Sequence, residues 1–531
     1  MIIVGLNAYH GDVAAAVLRD GVLVAAIEEE RFCRIKHVAG FPSRAIETAL
    51  AMAGATPAEV DVWAIARGRR VHLWRKAWFA LTHRPGAALL HQYRSTAGKN
   101  RHVPEVIAQT FGLRLSDVEA RATYVEHHPA HLASAYYTSG MQEAACCAID
   151  GFGDFVSVSV AHGRGGQMDV VDRTYFPHSL GLLYLAITQH LGFKKYGDEF
   201  KVMGLAPYGE PEYLDRMRKL VRVNRKGGFE LDLSYFVHHS EGVNMTWDAG
   251  SPTIGDVFSR KLEQEFGPRR QPGEPMSAHH NNLAASLQAL LEEVVLGLLR
   301  HLAGKTGLTD LCMAGGVALN CTMNGKILSE TPFKRVYIQP AAYDAGTSLG
   351  AALWVKHQIL GAPRDAVMDH TYWGLEYSRE ACKAALDARG LSYRELADDQ
   401  LADAAAALVA QGKILGWYQG RFEWGPRALG NRSIVCDPRS AAMKDHLNHR
   451  IKHREGFRPF APSVLEERAG DWFEMGGPSP FMLMTCQVRK AQQARVPAIT
   501  HVDGTARQQT VSKATNPKYW SLIHAFERQT G

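Results

Sequence analysis

The chain has 531 residues, 46% apolar and 21% charged, with a formal net charge of +6. That length exceeds one ordinary core, so two or three domains are expected, and a charge so small for the length gives no reason to infer nucleic acid. The eight cysteines include no CxxC pair and indicate neither a zinc ribbon nor a disulfide framework.

The N-terminus reads as three short strands: "MIIVGL", "VAAAVLRDG" with a turn at Arg19-Asp20-Gly21, and "VLVAAIEEE". The opening apolar run is only a few residues long, so no secretory leader is expected. No apolar stretch long enough to cross a membrane stands out, so none is expected and the anticipated location is the cytoplasm. A helix follows at "PSRAIETALAMAG", stopped at Gly54. Between Arg67 and His102 there is no Asp or Glu. That stretch reads as a solvated basic insertion with an aromatic underside, as a lid over an anionic or polyhydroxylated ligand, or as a membrane-surface contact.

Next comes "EHHPAHLASAYYTSG". His127 and His131 are four apart and share one face of a helix, and Pro129 fits only in its first turn. Two imidazoles so placed can close on one metal ion. The strand pattern then recurs as "AACCAIDGFGD", "FVSVSVAHGRGG" and "MDVVDRTYF". Both copies carry a polar, glycine-containing loop between their first two strands, "NAYHGD" and "DGFGD". A duplicated unit predicts two similar α/β lobes facing a cleft, with strand-end loops meeting the ligand.

A long core helix is expected from Asn281 to Gly304. Beyond it run "DLCMA", "GGVALN", the helix "CTMNGKIL", the strand "RVYIQP", the loop "AAYDAG" and the helix "TSLGAALWVKHQIL". The closely spaced glycines of "GGVALN" allow a phosphate or ribose near the backbone, though it is neither a Walker loop nor a Rossmann fingerprint. Asp150 ends one apolar strand and Asp344 follows another. Two such carboxylates beside two imidazoles suit iron, zinc or manganese.

The α/β rhythm pauses near "GAPRDAVMD", which puts a domain boundary near residue 365 and gives domains of 1–365 and 366–531. In the second, "GRFEWGPRALGNRS" presents Arg421, Arg427 and Arg432, "IKHREGFRPFAP" presents Lys452, Arg454 and Arg458, and "HVDGTAR" adds Arg507. Guanidinium groups in glycine-rich loops offer bidentate donors to phosphate, and so many cations suggest a nucleotide with a second phosphorylated substrate.

Ten colinear segments, among them "GLNAYHGD", "HHPAH", "IDGFGD", "GDEFKVMGLAPYG", "GGVALN", "YDAGTSLGAA", "GPRALGNRS", "REGFRPFAP" and "HVDGTARQQTV", resemble the O-carbamoyltransferases of antibiotic and nodulation-factor biosynthesis. The resemblance implies a duplicated ribonuclease H/actin-like ATPase fold followed by a threonylcarbamoyl-adenylate-synthase-like α/β domain. It implies that the second domain condenses carbamoyl phosphate with ATP, supplied with magnesium, to carbamoyl-adenylate, releasing pyrophosphate. The first domain then transfers the carbamoyl group to a hydroxyl of a small sugar or natural-product acceptor.

By the same resemblance His127, His131, Asp150 and Asp344 hold a divalent metal, usually iron. Gly315, Gly316 and Asn320 form a nucleotide loop. Arg427, Lys452, Arg458 and Arg507 surround carbamoyl phosphate and ATP. His10 and Asp12 lie near the acceptor, and one of them is the general base. In the family a further strand with a Thr-Ser-Phe-Asn segment contacts the nucleotide; this sequence has no such segment, so impaired adenylation is expected. Two other readings are a transferase of the tRNA threonylcarbamoyl type and an inactive binding relative.

Overall fold

The protein is described from a computed structural model, which covers residues 1–68, 70–83, 85–87, 89, 98, 102–224, 227–246 and 252–531. Much of the basic stretch after residue 83 therefore lies outside the described residues. Two compact units divide the chain, Met1–Met368 and Asp369–Gly531.

Unit one contains two five-stranded sheets. In the first, β1 (Ile2–Asn7), β2 (Ala14–Arg19) and β3 (Val22–Glu28) form an antiparallel meander, and β4 (Val62–Ile65) and β5 (Ala122–Tyr124) extend it in parallel beyond β1. In the second, β6 (Glu143–Gly153), β7 (Val156–Arg164) and β8 (Gln167–Tyr175) repeat the meander, and β9 (Asp310–Ala314) and β10 (Arg335–Ile338) extend it in parallel beyond β6. The two sheets thus share one strand order and one pattern of directions. Strands β1, β2 and β6 are buried almost throughout, as the unbroken apolar runs require.

The expected loop after Asp150 is instead strand. β6 continues through a bulge to Gly153, and the hairpin to β7 is the pair Asp154 and Phe155, both with positive φ (51° and 76°).

Helix α1 spans Ser43–Met52 and buries Ala45, Ile46, Ala49 and Leu50 against the first sheet. Helix α2 (Leu73–His83) buries Phe79 alone. Helix α3 (His127–Tyr136) is buried on every face, and α4 (Leu180–His190) nearly so. The long helix α5 runs Ala278–Thr306, past the expected stop: Gly304 is interior, and Gly307 takes the left-handed cap with its N–H on Ala303 O. By length and composition α5 would suffice to cross a membrane, contrary to expectation, but 72% of its most apolar window is buried inside the protein. Its apolar faces are core.

Helices α6 (Cys321–Glu330) and α7 (Ala345–Trp354) complete the unit. α7 packs on both α3 and β1, and glycine makes that possible. A Cβ on Gly350 would lie 1.8 Å from Ala130 O, and one on Gly5 would lie 1.9 Å from Ser348 O. Backbone meets backbone at both places, which sets the start of α7 beside α3.

Unit two packs α8 (Asp398–Ala410) against α9 (Pro517–Thr530) over Ala405, Ala406, Trp417, Val511, Tyr519 and Leu522. Its sheets are short. β11 (Leu415–Tyr418) pairs antiparallel with β12 (Arg432–Val435), Ser463–Leu465 runs parallel to Gln509–Val511, and three further short strands pair nearby.

Candidate metal centre

Four side chains from three places in the sequence converge in unit one. His127 and His131 come from the first turns of α3, Asp150 from β6, and Asp344 from the residue before α7. All four are buried, and one donor atom from each falls within 4.8 Å of the others. His131 Nε2 is 3.1 Å from His127 Nε2. Asp150 Oδ2 is 3.3 Å from His127 Nε2 and 3.8 Å from His131 Nε2. Asp344 Oδ1 is 3.5 Å and 3.4 Å from the same two nitrogens.

These distances fit one cation. Donors about 2.0–2.2 Å from a common ion stand about 2.8–3.8 Å apart at angles from square to trigonal. Asp344 Oδ1 is buried without a hydrogen-bond donor, and neither Nδ1 of the two histidines has a partner. A buried carboxylate oxygen without a donor is costly unless a cation meets it. The electrostatics point the same way. Burial and the Asp344 charge push the Asp150 carboxyl up, but the hydrogen bond from His127 and the neighbouring imidazoles win and hold it low. Burial likewise opposes ionisation of Asp344, and His10 and the two histidines outweigh it. Burial pushes His127 down. Ionised carboxylates beside a neutral imidazole are the protonation states that a metal requires.

The third histidine of the motif has a different task. His128 Nε2 meets Val156 O at 2.9 Å and fixes α3 on β7. Gly153 leaves room for the His127 ring, since a Cβ there would lie 2.1 Å from His127 Cδ2.

Both first-lobe candidates sit beside this cluster. His10 Nδ1 contacts Asp344 Oδ2, and its side chain is 22% exposed. Asp12 is buried; its Oδ1 lies 2.7 Å from His37 Nδ1 and its Oδ2 has no partner. Asn7 shapes their loop, its Nδ2 donating to Gly11 O and Asp12 O at 2.9 and 3.1 Å.

The glycine loop joins the same group. Gly316 N–H donates to Asp150 Oδ1 at 3.1 Å, so Asp150 faces the loop with one oxygen and the histidines with the other. Asn320 does not present its amide outward. Its Oδ1 accepts from Met323 N and Gln288 Nε2, and its Nδ2 donates to Gln288 Oε1, so it caps α6 and ties the loop to α5.

In unit two the basic residues divide. Arg421 donates to Gly374 O and Trp373 O, and Arg432 donates to Gln419 O and Gly420 O while its guanidinium lies 3.6 Å over the Tyr418 ring. Most of these donors brace loops, a correction to their reading as anion ligands, although Arg432 Nε is buried without a hydrogen-bond partner. Glycine and aromatic neighbours signal a packed guanidinium as readily as a binding one. Arg454 braces a loop too, its Nε donating to Asn448 Oδ1 at 2.7 Å and its Nη2 to Pro459 O at 3.4 Å, but it also lies near two other guanidinium groups. Burial and then the charges of Arg458 and Arg507 push it down to about 10, so both of those cations act on it, while Arg458 is also paired with Glu455 at 3.5 Å. Arg507 Nε is buried without a hydrogen-bond partner. Lys452 is exposed and ends the turn before Arg454. Arg427 lies half-buried in the loop that Glu423 organises, where Oε1 accepts from the N–H groups of Leu429, Asn431 and Arg432 at 2.8, 2.9 and 3.1 Å.

The sequence reading assigned no task to His37, Asp154 or Glu423. Each lies inside a recognised motif, but its partner is distant in the chain or is backbone, and spacing carries no sign of either.

Comparison with known proteins identifies the family. The family described as carbamoyltransferase N-terminus matches residues 2–353, and carbamoyltransferase C-terminus matches residues 406–531. The chain belongs to the carbamoyltransferase family. Nodulation protein NolNO of Sinorhizobium fredii is 39% identical over 99% of this chain and 73% of its own length. Nodulation protein NolO of Bradyrhizobium diazoefficiens is 42% identical over 76% of this chain and 71% of its own. Nodulation protein U of Rhizobium tropici is 29% identical over the whole chain and 89% of its own. Among solved structures, HypF of T. kodakarensis (TM-score 0.33, 13% identity, 68% of this chain and 48% of that one) and a ROK hexokinase of Thermus thermophilus (0.30, 16%, 66% and 98%) are remote, and no assignment follows from them. As a member of this family the protein is a carbamoyltransferase enzyme.

Proposed function

We propose that this carbamoyltransferase is an ATP-dependent O-carbamoyltransferase that works in two steps. In the first, water hydrolyses carbamoyl phosphate to carbamate and inorganic phosphate, and the carbamate oxygen then displaces pyrophosphate from the α-phosphorus of ATP. Carbamoyl-adenylate results. In the second, an acceptor hydroxyl attacks the carbamoyl carbon, AMP leaves, and the hydroxyl proton passes to the protein.

The first step is assigned to unit two. Arg454, Arg458 and Arg507 form a positive cluster suited to phosphate charge, and preorganised cations of this kind stabilise a phosphoryl-transfer transition state. Arg427 and Lys452 are proposed as further contacts to the same substrates.

The second step is assigned to unit one. His127, His131, Asp150 and Asp344 would hold a divalent ion, with iron the first choice and zinc or manganese alternatives. Such an ion, when bound, supplies Lewis-acid charge compensation. The protein's own part falls to His10. Asp344 takes its Nδ1–H, which leaves the Nε2 lone pair for the acceptor proton. His10 is preferred over Asp12 as base because 22% of its side chain is accessible against 2% for Asp12. Gly315 and Gly316 are proposed to let the adenylate approach the backbone beside Asp150.

The observation that carries this reading is the convergence of four buried donors next to an accessible histidine. The resemblance to the O-carbamoyltransferases of nodulation-factor biosynthesis makes oligosaccharide acceptors the first class to try. The test is to supply ATP, magnesium and carbamoyl phosphate and to measure pyrophosphate, then add chito-oligosaccharides and search for a carbamoylated product. Pyrophosphate release that needs carbamoyl phosphate supports the first step, and a carbamoyl adduct supports the second. Absence of both in metal-loaded protein contradicts the proposal.

A further inference from the structure

Among the described residues of unit one, helix α2 carries a concentrated set of exposed apolar side chains. Leu73, Trp74, Trp78 and Leu81 are 59%, 72%, 55% and 72% exposed. Trp74 and Trp78 lie one turn apart with ring centroids 6.4 Å from each other. The opposite side holds the helix down: Phe79 is buried, with centroids 5.7 Å from Phe155 and 5.2 Å from Phe176. The aromatic underside expected from the sequence is thus Phe79, and both tryptophans face outward.

The surroundings are basic. Arg70 and Arg75 are exposed, and no acidic residue occurs between positions 67 and 102. Exposed indoles and leucines bordered by arginine are the chemistry of an interfacial helix, which sinks its apolar face among lipid tails while its cations meet anionic headgroups. A symmetric pairing of two copies through this face would bring like charges together, which disfavours a second copy as occupant.

The helix is also fastened to the candidate metal centre. Asp154 Oδ2 accepts from Gly68 N at 2.6 Å and from His127 N at 2.9 Å. His72 Nε2 meets Glu126 Oε1 at 2.6 Å, one residue before His127.

We propose that α2 docks this protein onto an anionic bilayer surface. Docking there holds the candidate metal centre, tied to the start of α2 through Asp154 and Glu126, close to the lipid, so that its acceptor is carried on or in the membrane. That second clause rests on the proposed reaction, whereas the docking does not.

The experiment is co-sedimentation of the full chain with vesicles of phosphatidylcholine alone and of equal parts phosphatidylcholine and phosphatidylglycerol. Binding to the anionic vesicles is expected to be at least about tenfold tighter and to weaken with added salt. The double variant Trp74→Glu/Leu81→Glu is expected to lose at least about tenfold in binding, with pyrophosphate release unchanged. Arg70→Gln, which leaves the apolar face intact, is expected to weaken only the anionic preference. The proposal is overturned if the intact chain fails to sediment with anionic vesicles. It is overturned equally if the double variant binds as well as the parent, or if light scattering shows that the face holds a dimer which the variant dissolves. Loss of pyrophosphate release in the parent would count against the reaction and leave the docking result standing.

Discussion

Asp344 turns one carboxylate oxygen to His10 and the other to His127 and His131. The acid that would hold the ion therefore also fixes the tautomer of the nearest accessible histidine, the arrangement by which carboxylates orient catalytic imidazoles. Replacing His10 with Ala is expected to lower carbamoyl transfer about 10²–10⁴-fold. Metal affinity should fall by no more than about 10–100-fold, the usual effect of losing an outer partner. Metal analysis beside a transfer assay separates the two, and a variant with full transfer would remove His10 from the mechanism.

The close approach of α3 and α7 makes Gly350 a site of high sensitivity. A side chain there must displace Ala130 O, and Gly350→Val should cost about 1–3 kcal/mol or more through overpacking. Because the shift parts Asp344 from His131, metal uptake should fall further than thermal stability alone explains. Thermal melts beside metal content check this.

Arg507→Ala is expected to slow pyrophosphate release at least about tenfold by removing a phosphate donor, with transfer from supplied carbamoyl-adenylate retained. Glu423→Ala differs. It leaves three backbone N–H groups without their acceptor and should destabilise unit two by about 3 kcal/mol. Denaturant melts should register Glu423→Ala strongly and Arg507→Ala weakly.

Two buried histidines predict acid lability. Burial pushes His190 and His238 each down to about 4, against about 6.5 in an unfolded chain. Between those values the unfolded chain binds more protons, so stability rises with pH and is lost as pH falls from about 6.5 towards 4. Neither nitrogen of His190 has a hydrogen-bond partner, and its ring lies edge-on to Phe258. His190→Phe should change stability at neutral pH by less than about 1.5 kcal/mol and move the acid unfolding midpoint downward. An unchanged midpoint would show that His190 does not carry the effect.

The doubled architecture was legible because the apolar runs of β1–β3 recur in β6–β8 and glycine punctuates both copies. The histidine pair was legible because four-residue spacing puts both rings on one helical face. What spacing could not reveal was closure across hundreds of residues. The contact of Asp344 with His10 depends on α7 pressing on β1 at Gly5, and its approach to His127 and His131 on α7 pressing on α3 at Gly350, which are tertiary facts. The arginines misled for a related reason. Arg421 and Arg432 have the neighbours of binding residues, yet backbone carbonyls that no motif records occupy several of their donors. The exposed face of α2 was half legible: its charge was plain, but only packing decides that Phe79 turns inward and the tryptophans outward.

The most direct test of the account is anaerobic titration of metal-free protein with Fe(II), Zn(II) or Mn(II), read by calorimetry and elemental analysis. The account predicts one tightly held ion per chain, lost in His131→Ala and in Asp344→Ala while both variants remain folded. A folded parent that takes up no ion, or variants that bind it as the parent does, would contradict it.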